Sequence, residues 1–160
     1  MNESLPDGPL ESLSDNRAAA DHLAGEVRRE LLVFSRDMDP NVLNRGEWLE
    51  AVRQFVIRSR HTQLRVLVID PTRAIREGHG LVRLGQRLSS HIHLHRVNED
   101  HADRADCFIV ADDLAYLYRP NAARWEGRWS TRSGADARQL RQDFDDMWQR
   151  SLPEPEFRKL

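Results

Sequence analysis

A single stretch, CFIVADDLAYLYRPN from Cys107 to Asn121, constrains the fold of this chain more than any other. Cys107–Ala111 is an almost continuous apolar run. Asp112-Asp113 interrupts it, and Leu114–Tyr118 resumes with large apolar and aromatic side chains. Strands favour such residues and Asp tolerates the backbone of a tight turn, so the pattern predicts a β-hairpin. A run with no polar alternation has no solvent face, which puts the first strand in the middle of a sheet covered on both sides. Cys107 then reads as a small buried hydrophobe rather than a thiolate, which would need a lowered pKa and access.

Two further central-type strands are expected at Leu31–Phe34 and Leu64–Ile69, and His91–Val97 alternates strictly as a third. Trp48, Leu49, Val52, Phe55 and Val56 follow a 3.6-residue spacing, which predicts a helix from about Glu47 to Arg60. A shorter helix over His79–Leu88 shows Leu81, Leu84 and Leu88 on one face. One helix starts at Ser14-Asp15, Trp125–Ser130 is another strand, and Ala135–Ser151 is a last helix buried through Leu140, Phe144, Met147 and Trp148. Pro153 and Pro155 stop it. The order predicts an α/β fold, a mixed, mainly parallel sheet flanked by helices. It spans residues 15–153, with a disordered acidic tail over 1–14 and a C-terminal tail over 154–160.

The hairpin and the last helix resemble the signature region of the phospholipase D-like superfamily. There a strand carries His, any residue, Lys, four residues and Asp, then a turn, a strand ending in Gly-Ser, and an Asn. On that pattern the Asp falls on Asp112, the Asn on Asn121, the His on Ala105 and the Lys on Cys107, while Tyr118-Arg119 stand for Gly-Ser. Phe144 and Trp148 match a Phe and a Trp common in the family's final helix. The resemblance covers about residues 28–152 and implies a single phospholipase D-like half-domain. It looks most like an uncharacterised bacterial family found alone or beside acetyltransferase domains of the GNAT type. In the enzymes the His is the nucleophile and the Lys stabilises charge on the phosphate oxygens. Alanine can do neither, and the one lysine of this chain is Lys159.

The resemblance therefore implies a catalytically inactive domain, without catalytic residues, cofactor or metal, that serves as a binding or protein-interaction module. Enzymes of the superfamily set two half-domains face to face. That implies a homodimer or an acetyltransferase-type partner domain, with Tyr118, Arg119, Trp125 and Trp129 as the expected interface. The alternative is that the two tryptophans fold back onto the last helix.

In open α/β sheets, ligands bind beyond the carboxyl ends of the parallel strands. Those ends supply Ser35, Arg36, Asp37, Asp70, Thr72, Arg73 and His95 here, and the resemblance adds Asp112 and Asn121. The arginine forks suit a phosphate-like anion, whereas the carboxylates oppose one and can instead pair with the arginines or cap helices. His91, His93 and His95 share one strand face at roughly 6–7 Å spacing, at which ligands rarely close around one ion, so a half-exposed edge or surface face is the better reading. Two other classes stay open: a hydrolase or phosphotransferase with a relocated site at Arg36, Asp37, Asp70, Arg73 and Cys107, and a weak nucleic-acid binder. Net charge is -2, and six acids within residues 1–26 leave only a mild basic excess elsewhere. That is not the footprint of a dedicated nucleic-acid protein. One cysteine excludes a disulfide framework. No apolar run spans a bilayer and the acidic N-terminus is no signal peptide, so the expectation is a cytoplasmic protein with no membrane contact.

Overall fold

The computed structural model describes residues 5–158, over which the chain runs β1 (Gly8–Leu10), α1 (Leu13–Glu26), β2 (Glu30–Ser35), α2 (Pro40–Leu43), α3 (Gly46–Ile57) and β3 (Gln63–Val68). It continues through α4 (Thr72–Arg76), α5 (Gly80–Arg87), β4 (Ile92–Arg96), β5 (Cys107–Ala111), β6 (Ala115–Arg119), β7 (Gly127–Ser130), α6 (Gly134–Gln149) and β8 (Leu152–Pro153). All eight strands join one sheet in the order β1-β7-β6-β5-β2-β3-β4-β8.

The apolar runs lie where their lack of alternation puts them. β2 and β5 are neighbours in the middle of the sheet, and every residue of β5 is buried. Successive residues serve opposite faces. Leu31 and Val33 join the larger core with Leu23, Trp48, Val52, Phe55 and Leu81, under α1, α3 and α5. Leu32 and Phe34 join the other core with Phe108, Val110, Tyr116, Leu140 and Phe144, under α6. No helix among the described residues is long and apolar enough to cross a membrane.

The sheet is mixed, but it is mostly antiparallel rather than mainly parallel. Only β2–β3 and β3–β4 pair in parallel, through the helical crossovers between them. The other five pairings are antiparallel. The physical reason lies in the connections: from β4 to β7 no α-helix is inserted between strands, and β5, β6 and β7 are joined by short links that reverse direction each time. Between β5 and β6 the link includes Asp112 and Asp113, at φ 55° and 56°. Positive φ at both central positions marks the type I′ turn that suits a twisted hairpin.

Both expected tails are partly structured. Gly8–Leu10 pairs with β7, Leu10 is buried, and α1 starts at Leu13 with the Ser12 hydroxyl accepting from the Asp15 amide. Polar composition concealed the strap because its hold comes from long-range contacts. The Asp7 carboxylate accepts from the Thr131 amide and from the Ser130 and Thr131 hydroxyls. The Trp129 indole N–H donates to the Pro6 carbonyl at 3.0 Å. At the other end Pro155–Arg158 forms a short 3-10 turn that buries Phe157. Residues 1–4 of the expected N-terminal tail, and Lys159, lie outside the described residues.

Candidate functional site

At the carboxyl end of β2 lies a cavity of about 200 Å³, lined by Ser35, Asp37, Asp39, Arg73, Cys107, Arg119 and Trp125 among others. Its floor derives from the hairpin register, which sets Cys107 opposite Arg119. Arg119 is 2% exposed. Its guanidinium donates from Nη1 to Asp39 Oδ2 at 2.6 Å, from Nη2 to the Ala122 carbonyl at 2.6 Å and from Nε to the Arg124 carbonyl at 2.9 Å. The Trp125 ring covers it with its centroid 4.8 Å away.

Burial dominates the electrostatics of this floor. Burial pushes the pKa of the Cys107 thiol up to about 12, against the opposing influence of Arg119. Burial also raises the Asp39 carboxyl above its ordinary value, although Arg119 acts to lower it. Asp39 and Met38 both hold positive φ, 35° and 68°, a conformation that costs about 1–3 kcal/mol per non-glycine residue. Their surroundings fix it. The Ser35 hydroxyl accepts from the Met38 amide at 3.0 Å, and buried His79 contacts the Met38 carbonyl through Nε2 at 3.0 Å. Because His79 Nδ1 accepts from the Leu81 amide, Nε2 carries the proton and the neutral ring is a donor here. Burial lowers its pKa accordingly.

The residues expected at the strand ends do not form one cluster. Ser35, Asp37 and Arg73 reach the cavity, with Arg73 on the rim between Asp37 at 3.3 Å and Glu77 at 3.4 Å. Arg36 is exposed beside it. Asp70 accepts from the Thr72 amide at 3.0 Å in a local turn at the start of α4, and hydrogen bonds from the Thr72 hydroxyl and amide lower its pKa. Asn121 likewise accepts from the Ala123 amide. His95 turns to the α6 face, stacked 3.8 Å from Trp148 with Nδ1 2.8 Å from the Ser151 hydroxyl. Asp112 sits at the opposite end of the sheet, because β5 runs against β2. Its carboxylate accepts from the amides of Arg28, Arg29 and Glu30. Among the described residues no group of three or more His, Cys, Asp or Glu could hold a metal ion.

The expected interface is also redistributed. Arg119 and Trp129 are buried, the latter edge-on to His22 of α1 at 5.4 Å. Trp125 packs on the larger core and Tyr118 on the α6 core, with the Arg128 guanidinium over the Tyr118 ring. Neither tryptophan folds onto the last helix. Asp39 and His79 went unrecognised in the sequence, where Asp39-Pro40 reads as a chain break. The hairpin was legible but its register was not: a two-residue turn at Asp112-Asp113 would set residue 118 across from residue 107, whereas Leu114 also lies between the paired ends and brings Arg119 there.

These features define an α/β domain with a mixed sheet flanked by helices and a hairpin, β5–β6, in the middle of that sheet. Among solved structures, a phospholipase D family member, Nuc from Salmonella typhimurium, superposes with TM-score 0.58 at 10% identity over 86% of this chain and 90% of that one. NucT from Helicobacter pylori gives TM-score 0.64 at 8% identity, covering 89% of this chain and 92% of that one. TrmBL2, an archaeal chromatin protein whose structure shows a novel mode of DNA binding, gives 0.67 at 8% identity. It is matched over 96% of this chain, which spans only 56% of that one. At such identities the likeness is one of fold. Residues 12–160 match the family model described as a domain of unknown function, DUF7931, and the chain belongs to that family. No curated protein matches the sequence.

Proposed function

We propose that this domain is a non-catalytic member of the phospholipase D-like fold, a binding module that meets another protein surface through the rim of the cavity at the strand ends. The observation that supports this reading is the filling of the catalytic places. On the superfamily pattern the nucleophile's place falls on Ala105, which has no nucleophilic group, while Cys107 is a sealed thiol and the buried cation Arg119 is already committed to Asp39 and two carbonyls. A phosphate-like anion is poorly matched, because Asp37 and Asp39 line the same space. The relocated hydrolase site loses support as well. Of its five groups, Cys107 is buried, Asp70 is spent on a turn, and Arg73 is paired with Asp37.

The partner favoured by this reading is a second copy of the chain, or an acetyltransferase-type domain set against the same rim. Purified protein should show no turnover of bis(p-nitrophenyl) phosphate or of phospholipid above the buffer blank. Turnover that disappears in Cys107→Ala or Arg73→Ala would overturn the proposal. Sedimentation at micromolar concentration should show a dimer that Arg36→Glu and Arg73→Glu weaken. A monomer throughout would move the partner to another protein.

A further inference from the structure

The end of the sheet opposite the cavity carries a surface of different chemistry, which shares no residue with the cavity. The amino ends of β2, β3 and β4 are tied side by side. The Gln63 amide donates to the Arg29 carbonyl at 3.0 Å and the Leu64 amide to the His91 carbonyl at 2.8 Å. Arg58 reaches across to the Val27 carbonyl at 3.5 Å. These links put Arg28 and Arg29, just before β2, against Arg58 and Arg60, just after α3, and all four are exposed. The basic surface then continues along the groove between α3 and α5. There a cavity of about 310 Å³ is lined by Arg53, Arg83 and Arg87.

Most of the acids nearby are already engaged. Asp112 accepts from three backbone amides, while Glu30 and Asp113 share Arg141. Glu50 holds Arg53. Arg28, Arg29, Arg60, Arg83 and Arg87 therefore stand without a carboxylate partner among the described residues, in a chain whose net charge is -2. Arg58 and Arg87 also suit the carbonyl ends of α3 and α5. That duty does not account for Arg28, Arg29, Arg60 or Arg83, and such a local asymmetry creates an attractive field irrespective of net charge.

We propose that this strip binds the phosphodiester backbone of a nucleic acid. It is elongated, as a linear polyanion requires, and its charge comes wholly from guanidinium forks, which pair with phosphate in bidentate fashion. The exposed hydroxyls of Ser59 and Ser90 add further donors. A surface that seeks a membrane presents a row of large apolar side chains beside its charges. Here Ile57, 51% exposed, is the one such residue standing out of the strip among the described residues. Guanidinium forks spread along a strip meet phosphates, so recognition is of the backbone, independent of base sequence and steep in salt.

The test is fluorescence anisotropy of labelled oligonucleotides of about 20 nucleotides, single- and double-stranded, with the full chain across a salt series. Neutralising about five phosphates should cost roughly a few hundredfold in duplex affinity between about 50 and 200 mM salt. Arg28→Glu with Arg60→Glu should weaken binding at least about tenfold at the lower salt and reduce the salt slope by about two. Arg83→Glu with Arg87→Glu should do the same independently, so a folding defect in one pair, seen by circular dichroism, does not remove the test. Arg76→Glu, on α4 at the other end of the sheet, should change neither quantity. No binding at the lower salt, or binding indifferent to both pairs, would overturn the proposal. So would flotation with phosphatidylserine vesicles in a protein that ignores the oligonucleotides.

Discussion

Arg119 is held by one carboxylate and two carbonyls under an aromatic lid, and the cavity floor depends on it. Removing one member of a buried ion pair leaves the other charge stranded, at a cost on the order of 3–5 kcal/mol. Arg119→Leu should therefore lower the unfolding free energy measured in urea by that amount, and adding Asp39→Asn should recover part of it by removing the orphaned charge. His79 offers a second test, because burial lowers its pKa from the ordinary value of 6.5. Between the lowered native value and 6.5 the unfolded chain binds more protons than the native one. The stability that His79 contributes is thus fully present above about pH 6.5 and is lost as pH falls through the native value. The melting temperature should drop between pH 7 and pH 5, and drop less in His79→Gln.

At the scale of elements, β1 is the least expected feature and the most instructive. Three residues with no periodicity become an edge strand because Leu10 fills a place in the larger core and Asp7 closes three hydrogen bonds on the β7 end. Full burial of one leucine contributes about 1.5–3 kcal/mol. A chain beginning at Glu11 should accordingly melt several degrees lower, and Trp129 fluorescence should shift to the red as its indole loses the Pro6 carbonyl. An unchanged melting temperature would show that the strap contributes nothing. The opposite case is the β5–β6 turn, which the sequence announced because two aspartates accept the left-handed geometry its type demands.

For the whole molecule, one sheet separates two cores, and β2 and β5 supply side chains to both. Loosening either face disturbs the strands that the other face packs on, so the two layers should unfold together. In urea, far-ultraviolet circular dichroism and tryptophan fluorescence should give coincident transitions. Trp48 and Trp129 report on one core and Trp148 on the other, which makes a biphasic fluorescence curve the outcome that would contradict this.

Residue order alone dictated the central strands, the hairpin and its turn, the amphipathic faces of α3 and α6, and the burial of Cys107. Each arises from local periodicity or turn chemistry, which a single segment carries whole. Ala105 and Cys107 stand, in the sequence itself, where the phospholipase D-like pattern would have His and Lys. Everything else had to wait for the assembled chain. Strand direction depended on how connections close. Arg119 moved from a supposed interface to the cavity floor because residues far apart in the chain satisfy its guanidinium. Asp112 and His95 left the site because strand polarity and α6 packing set where their side chains go. Local pattern records which residues prefer burial, whereas the partner of a charge is fixed only when distant segments meet.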